Sequence, residues 1–445
     1  MTEKMAPWLR AGLVLDRRTL LKGLAGTAGL AALSPVIAAC GSSSSPSTSA
    51  AGAGGGSITF GSNYSDPSTK AAFASLVQQA QSKTGVQISA NTVDHNTSQN
   101  NITAYLQGTP NDLFTWFAGY RMQFFAQQGL LTPIDDVWAK IGGNFNDATK
   151  NLSKGLDGKY YFVPIYNYPW VVWYNKSEFQ TKGYTVPTTW DDFITLSKQM
   201  TTDGLIPLAF ADKDLWPALG MFDIIDLRVN GYDYHLKLMR HQVPWTDPGV
   251  TDVFSHWAAL MPHLQSAANG RIWQDAAKAL ENKQAGMMFQ GSNQVAANYS
   301  AANLPDLDFF PFPVINTAYG QDYMDAPADG FCLSKSQSNV AGAKAVLEYI
   351  GSGAAEAGFL QTDHWDVGLA NGLVAPSYNA IQKKSVQAIA ACKAVSQFGD
   401  RDTDPGFASN VLEPAIQMFI DNPSPTNVRT LQSSIEVQAK TIFTS

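Results

Sequence analysis

Short apolar runs alternate along the chain with longer stretches in which apolar residues recur at helical spacing. Residues 57–61 predict a first strand, and Asp66 with Pro67 predicts a helix start, an N-cap followed by proline. Apolar residues then follow at helical spacing until Gly85, which ends the helix: Phe73, Leu76, Val77 and Ala80. Residues 86–90 predict a second strand.

The same alternation continues toward the C-terminus. Strands are predicted at 112–117, 171–174, 287–289 and 328–333, with an extended tract at 158–164. Helices are predicted at 121–128, 250–265, 271–282, 340–351 and 414–421. Another helix starts at Thr189, which forms a capping-box variant with Asp192. Strands that alternate with helices predict an α/β fold with parallel-type sheets.

Size and composition limit the class of protein. A chain of 445 residues, 45% of them apolar, is long enough for two or more globular lobes. The content of 11 Trp is high, which indicates either larger cores or a stacking site, and composition alone favours larger cores. The formal net charge is −7, and the 25 basic and 35 acidic residues from Cys40 onward give −10. An acidic body argues against nucleic acid and against adhesion to anionic lipid.

The N-terminus has the layout of a secretory signal. A polar, basic segment at 1–22 precedes an apolar run at 23–33, which is far shorter than the ~20 residues of a membrane span. Residues 16–22, Asp-Arg-Arg-Thr-Leu-Leu-Lys, resemble a twin-arginine export signal. Ile-Ala-Ala-Cys, ending at Cys40, resembles the bacterial lipobox. These resemblances imply a signal peptide at 1–39 and acylation of Cys40; the alternative is a buried helix with a chance cysteine.

After Cys40, residues 41–56 contain only Gly, Ser, Ala, Thr and Pro, which predicts a flexible tether of roughly 20–25 Å in root-mean-square length. No later segment approaches the length of a membrane span, so we expect the protein to be anchored without crossing the membrane. Cys332 and Cys392 either form a disulfide or remain two separate thiols, the option that we favour. Six scattered His without metal-ligand spacing indicate no metal site, and no cofactor is predicted.

Several pieces of sequence occur in a characteristic order. They are 111–116 (Asn-Asp-Leu-Phe-Thr-Trp) with 128–131, then 158–164 with 174–176, 187–193, 282–288 with Gly291, and 329–331 followed by 343–344. In this order they resemble the family 1 extracellular solute-binding proteins, the group that includes maltose-binding protein. The resemblance runs from about Ile58 to the C-terminus. Where many members of that family carry Trp, two residues after the glycine, this chain has Asn293. The identity of the ligand therefore cannot be copied from the family.

The resemblance implies a type II periplasmic-binding-protein-like fold, with two discontinuous α/β lobes joined by a hinge. Lobe 1 is predicted at 57–163 plus 326–372, and lobe 2 at 168–324 plus 376–445. A ligand that touches both lobes would favour a closed form. The implied protein is a monomer that carries no catalytic residues.

A sugar site needs aromatic rings for the C–H faces of the sugar and short polar side chains for its hydroxyls. We therefore predict these ligand-binding residues: Asp66, Trp116, Phe117, Tyr168, Trp170, Trp216, Ser292, Asn293, Asp329, Gly330 and Trp365. Each has a plainer alternative, since the aromatic residues could belong to the core and Asp66 could only cap its helix. Strand alternation lets only one of Trp116 and Phe117 face the cleft. For Arg121, pairing with an acidic neighbour is favoured over contact with a ligand.

The predicted function is that of a substrate-binding lipoprotein of an ABC importer. It would bind an extracellular sugar, a di- or oligosaccharide, and deliver it to the membrane permease from the cell surface or the periplasmic side. The alternatives are a secreted hydrolase with two catalytic carboxylates, a binding protein for a solute such as a polyol, and a structural or adhesive lipoprotein. The acidic pairs at 135–136 and 191–192 lie at predicted helix starts, and no Gly-x-Ser-x-Gly or His-Glu-x-x-His motif occurs, so an enzyme is not expected.

Overall fold

A computed structural model describes residues 55–371 and 377–443. The predicted signal peptide at 1–39, the acylated Cys40 and nearly all of the tether lie outside the described residues. So does the predicted third crossing between the lobes, at 372–376.

The predicted alternation of strands and helices is present. The strands are β1 (Ser57–Ser62), β2 (Gln87–Thr92), β3 (Leu113–Phe117), β4 (Phe162–Asn167), β5 (Trp170–Asn175), β6 (Ile206–Ala209), β7 (Ala285–Gly291), β8 (Leu307–Phe310), β9 (Tyr323–Asp325), β10 (Ala328–Leu333) and β11 (Ala394–Ser396). The helices of the first half are α1 (Pro67–Thr84), α2 (His95–Gln107), α3 (Tyr120–Gln127), α4 (Asp135–Ile141), α5 (Asp147–Leu152), α6 (Lys176–Lys182), α7 (Trp190–Thr202) and α8 (Leu219–Val229). Those that follow are α9 (Tyr232–Met239), α10 (Pro248–Leu260), α11 (Trp273–Glu281), α12 (Ser292–Ala296), α13 (Val340–Ile350), α14 (Gly353–Leu360), α15 (Ala380–Ala391), α16 (Gly399–Asp402), α17 (Pro405–Phe407), α18 (Glu413–Asp421) and α19 (Pro425–Ile442). A π-helix (Ala408–Leu412) joins α17 to α18.

The strands form two separate larger sheets. The first has the order β2-β1-β3-β10-β4, and the second has the order β6-β7-β5-β8. Within these two sheets, the expectation of parallel-type pairing is correct only for β1 with β2 and β3, and for β6 with β7. β10 runs antiparallel to β3 and β4, and β5 runs antiparallel to β7 and β8. The pattern of hydrophobic residues cannot show whether a strand runs parallel or antiparallel to its neighbour. Strand direction is set by where the chain re-enters each sheet.

The chain passes from the first sheet to the second between β4 and β5. β4 belongs to the first sheet up to Asn167, and β5 begins the second sheet at Trp170. Next to the return passage, β9 pairs in parallel with β11 immediately before β10 begins. The two passages therefore bring β4, β5, β10 and β11 close together.

Local signals account for the helix that covers the first sheet. Proline occupies the first turn of α1, and Gly85 ends it with a left-handed backbone at φ +72°. The apolar side of α1 is buried and packs against α13 and α14. Around the second sheet, α10 packs against α8 and α19, and the rings of its Phe254 and Trp257 each lie 4.9 Å from the ring of Phe419 in α18.

A bulge in the first sheet positions one predicted site residue. Asp329 pairs with Tyr166 and Gly330 pairs with Pro164, so Ile165 has no partner across the strand pair. Such an extra residue re-aims the side chains beside it. A Cβ on Gly330 would lie 2.2 Å from the carbonyl oxygen of Val163, so only glycine fits there. Gly330 is therefore required because the two strand backbones pack closely beside Asp329.

Cys332 is buried in β10, and Cys392 lies at the end of α15; both thiols are free. Over residues 55–371 and 377–443, no helix has both the length and the apolar character that a membrane span requires.

Candidate functional site

A cavity, called here the binding cavity, lies among side chains from both sheets and their connections. Its aromatic lining residues are Tyr64, Tyr166, Tyr168, Trp170, Trp216, Trp273 and Phe398. Its polar lining residues are Asn63, Ser65, Asp66, Thr69, His95, Gln99, Asn293, Gln294, Asp329, Asp400 and Arg401.

One side of the cavity is a wall of four aromatic side chains, called here the aromatic wall: Trp170, Trp216, Trp273 and Phe398. The ring of Trp170 lies 4.7 Å from that of Phe398 and 6.3 Å from that of Trp216. Trp216 is in turn 6.5 Å from Trp273. These residues come from four separate stretches of sequence, so only the tertiary fold makes them one surface.

Backbone features hold the aromatic wall in place. Phe398 has a φ of +90°, which is unfavourable for a residue with a side chain and is typical of sites under functional constraint. Gly220 at the start of α8 packs against Trp170, since a Cβ there would lie 2.4 Å from the indole ring. The positive φ of Phe398 and the absence of a side chain at Gly220 together leave space for the rings of the aromatic wall.

Polar lining residues come from the loop after β1, from α2 and from several other segments. The backbone N–H of Asn63 donates to the Thr115 hydroxyl at 2.8 Å, and that hydroxyl donates to Asn63 Oδ1 at 2.7 Å. These bonds fix the amide and leave its Nδ2 without a partner among the described residues. Asn63 is therefore positioned as a donor beside the cavity.

Asp66 lies at the N-cap position of α1, but its side chain accepts no capping hydrogen bond. The alternative that Asp66 only caps its helix is therefore wrong for its side chain, which lines the binding cavity. Burial, followed by the charges of Asp94 and Asp363, raises the pKa of Asp66 to about 6. The group is mainly ionised at neutral pH and can accept hydrogen bonds from a ligand.

Arg401 is the buried cation of the site. Its Nη1 donates to Asp329 Oδ1 at 2.6 Å, its Nη2 donates to the Tyr168 hydroxyl at 2.9 Å, and its guanidinium lies 3.9 Å from the ring centre of Phe117. Burial by itself would lower the pKa of Arg401, but Asp329 and the other acidic neighbours raise it above the ordinary value. Tyr166 donates to the second oxygen of Asp329 at 2.9 Å. Asp329 therefore anchors Arg401 while it lines the cavity.

His95 is neutral in this environment. Burial and the nearby Arg401 lower the pKa of His95 to about 4. The oxygen of the Gln99 amide accepts a hydrogen bond from Arg121, so its nitrogen donates to His95 Nε2, 2.7 Å away. This side of the cavity therefore presents a neutral imidazole.

Several buried polar atoms of the lining have no hydrogen-bond partner within the described parts of the chain: Asn63 Nδ2, Trp170 Nε1, Asn293 Oδ1, Gln294 Oε1 and Asp400 Oδ1. Buried polar groups are nearly always satisfied in native proteins, and each exception requires a reason. Donors and acceptors that converge on one cavity are what a ligand with several hydroxyl groups would satisfy.

Six of the predicted site residues line the binding cavity: Asp66, Tyr168, Trp170, Trp216, Asn293 and Asp329. The other five do not. Phe117 lies under Arg401, and Trp116 packs against Phe125 with the Arg121 guanidinium 5.2 Å from its ring centre. Ser292 is fully buried at the start of α12, Gly330 lies beside the bulge, and Trp365 packs into the apolar core around Trp173.

The prediction missed the segment 398–401, which provides Phe398, Asp400 and Arg401 to the cavity. A signal was present, because this segment places an aromatic residue beside charged ones, the same pattern that selected Trp170 and Trp216. It also missed Asn63, His95 and Gln99, which follow β1 or belong to α2.

Comparison with known proteins agrees with this geometry. The solved structure of the bacterial solute receptor AcbH, described as having an exclusive preference for β-D-galactopyranose, superposes with a TM-score of 0.86 at 71% sequence identity, covering 87% of this chain and 99% of that one. A chitin oligosaccharide binding protein shares the fold at 21% identity and a TM-score of 0.75, covering 86% of this chain and 100% of that one.

Curated relatives are more distant. An uncharacterised ABC transporter extracellular-binding protein of Pyrococcus horikoshii, PH1214, is 28% identical over 258 residues, which is 56% of each chain. The α-glucosides-binding periplasmic protein AglE of Rhizobium meliloti is 26% identical over 194 residues, which is 41% of this chain and 42% of the relative. The chain thus matches these relatives over about half of their length.

The family model for bacterial extracellular solute-binding proteins matches residues 66–357, well over half of the chain. That range includes both sheets, except for β1, and most of the cavity lining. The two-sheet α/β fold, the cavity between the sheets and the similarity to AcbH all agree with this match. The chain belongs to the bacterial extracellular solute-binding proteins.

Proposed function

We propose that this protein is the sugar-binding component of an ABC importer and that it binds a single pyranose in the binding cavity. The observation that carries the proposal is the mixed lining of the cavity. Trp170 and its aromatic neighbours form a wall, and the cavity is also lined by unpartnered donors and acceptors, among them Asn63 Nδ2 and Asp400 Oδ1. A pyranose matches this arrangement, because its C–H face stacks on rings and its hydroxyls hydrogen-bond to polar groups.

β-D-Galactopyranose is the sugar that we propose. The preference described for AcbH, at 71% identity, supports this choice over the di- or oligosaccharide expected from sequence. The axial 4-hydroxyl of galactose leaves neighbouring C–H groups together on one face of the ring, and that face can stack on an indole. The ionised Asp66, the fixed Asn63 and the charged Arg401 would then bind hydroxyl groups.

Isothermal titration with a panel of monosaccharides tests the proposal. We expect D-galactose to bind at least about tenfold more tightly than D-glucose, because one misplaced hydroxyl leaves a buried polar group unsatisfied. The sugar recovered afterwards should be chemically intact, which would separate a binding protein from the hydrolase alternative. Absence of heat and of thermal stabilisation with every sugar of the panel would refute sugar binding.

We further propose that the protein acts as a monomeric lipoprotein held at the outer face of the cytoplasmic membrane. Support comes from the twin-arginine-like and lipobox-like segments, and from the acidic body, which by itself would not adhere to anionic lipid. Two acyl chains at Cys40 would provide a stable anchor, and the tether would let the lobes reach the permease. We also propose that the lobes at 57–163 plus 326–372 and at 168–324 plus 376–445 contain the two sheets, with β4 completing lobe 1.

The anchor has a direct test. Replacing Cys40 with alanine should leave the protein unprocessed or release it from membranes, because no thiol remains for acylation. Fractionation and mass spectrometry of the N-terminal peptide measure both effects. An unmodified Cys40 in membrane-bound wild-type protein would contradict the proposal.

A further inference from the structure

A second, larger recess lies next to the binding cavity. This outer pocket is bounded by Arg121, by one side of α2 from Gln99 to Thr103, and by residues 405–410. Amide and hydroxyl side chains predominate in its lining, with Asn100, Thr103, Ser409 and Asn410 among them. Such groups suit the hydroxyls of a sugar. Ser409 and Asn410 in this lining belong to the π-helix, and π-helices are often found at functional sites.

Three side chains separate the outer pocket from the binding cavity. Arg121 Nη1 donates to Gln99 Oε1 at 2.7 Å and to Asp400 Oδ2 at 2.7 Å. Gln99 lines both spaces, Asp400 lines the binding cavity, and Arg121 lines the outer pocket. We call Gln99, Arg121 and Asp400 the partition.

The partition is rigid. The Arg121 side chain is 7% exposed and that of Asp400 is 4% exposed, so the ion pair is almost fully removed from water. The guanidinium of Arg121 also packs 5.2 Å from the ring centre of Trp116, which lies in the core of the first half of the molecule. A ligand that moved Arg121 aside would separate a buried ion pair and leave Asp400 only its longer contact with Arg401, at 3.9 Å, which is unfavourable.

Building on the proposed function, we infer that the partition makes the protein selective for one pyranose ring. It ends the binding cavity where a second ring would otherwise enter the outer pocket. Without the partition the two spaces would be continuous, because they are neighbours and Gln99 borders both. Gln99, Arg121 and Asp400 are therefore specificity-determining residues.

The test compares D-galactose with galactosyl disaccharides whose second ring is attached at different hydroxyls of galactose. The double variant Arg121→Ala with Asp400→Asn opens the partition and removes both charges together. Titration gives, for each protein, the ratio of disaccharide to galactose association constants. We expect the double variant to raise that ratio at least about tenfold for one linkage or more.

Asn410→Ala provides a matched control, since Asn410 lines the outer pocket but not the partition. Alone, it should leave the ratio unchanged. Combined with the opened partition, it should lower the affinity for the disaccharide more than that for galactose, because the second ring would then contact position 410. An equal loss for both ligands contradicts the assignment of the outer pocket.

Two further results decide the inference even if the double variant does not fold or no longer binds galactose. Gln99→Ala keeps the ion pair and should raise the ratio in the same direction, with circular dichroism to confirm the fold. Wild-type protein that binds a galactosyl disaccharide as tightly as galactose overturns the inference, as does an unchanged ratio in folded variants that bind galactose. Wild-type protein that binds no sugar refutes the proposed function instead.

Discussion

Replacing Trp170 with alanine is expected to weaken galactose binding by about 1–3 kcal/mol, the scale of a buried aromatic platform. Trp170 is 2% exposed, and its ring is in contact range of Trp216, Phe289 and Phe398. Truncation would remove the central ring of the aromatic wall and would let its neighbours relax into the space. Titration of the folded variant, with its stability measured separately in denaturant, gives the loss of affinity.

Trp173 in the same strand is the matched control for this change. It is fully buried three residues along β5, and its indole N–H donates to the carbonyl oxygen of Gln290 at 2.9 Å. Because strand residues alternate between faces, Trp173 points away from the face that carries Trp170. Trp173→Ala should lower the free energy of unfolding about as much as Trp170→Ala does. The folded fraction of Trp173→Ala should keep its affinity for galactose. Wild-type affinity in Trp170→Ala would remove this residue from the site.

Replacing Arg401 with methionine is expected to lower the free energy of unfolding by about 3–5 kcal/mol, because Asp329 would remain buried without its cation. The bond to Tyr168 and the contact with Phe117 would also be lost. Galactose affinity should fall as well, since Arg401 lines the cavity. Denaturant unfolding and titration measure the two effects separately.

The pH dependence distinguishes loss of the charge pair from loss of packing. Burial raises the pKa of Asp329 even beside Arg401, which opposes the shift. Without Arg401 the pKa of Asp329 would rise further, so the carboxyl group would be easier to protonate in the folded state. The stability deficit of Arg401→Met should therefore be largest near neutral pH and should shrink as pH falls. Adding Asp329→Asn should recover part of the loss at neutral pH. A deficit that does not change with pH or with Asp329→Asn would assign the loss to packing alone.

Local patterns were sufficient for most of the strands but for fewer than half of the helices that the structure describes. The start of α1 follows from Asp66 and Pro67, its end follows from Gly85, and the buried strands follow from short apolar runs. The order of sequence pieces was sufficient for the family. These features depend on residues that are neighbours along the chain, or on a pattern shared by many related chains.

The candidate site was predicted only in part, for reasons that particular residues illustrate. The aromatic and polar pattern found Trp170 and Trp216, but it also selected Trp365, which packs in a core. Aromatic rings fill cores and line sites equally well, and sequence does not show which of the two surrounds a ring. Asp66 had two possible roles, and only its position in space shows that it lines the cavity without capping α1.

The sequence by itself determined the α/β class, the boundaries of α1, the approximate positions of the strands and the membership of a solute-binding family. Only the tertiary structure decided which residues meet in the cavity. Arg401 contacts Asp329 although the two residues are 72 positions apart in sequence. Asp400 contacts Arg121 although they are 279 positions apart. Helix and strand signals act through neighbouring backbone groups, whereas a site forms where distant segments pack together. The antiparallel entry of β10 and the bulge at Gly330 decide that packing, and neither has a local signature in the chain.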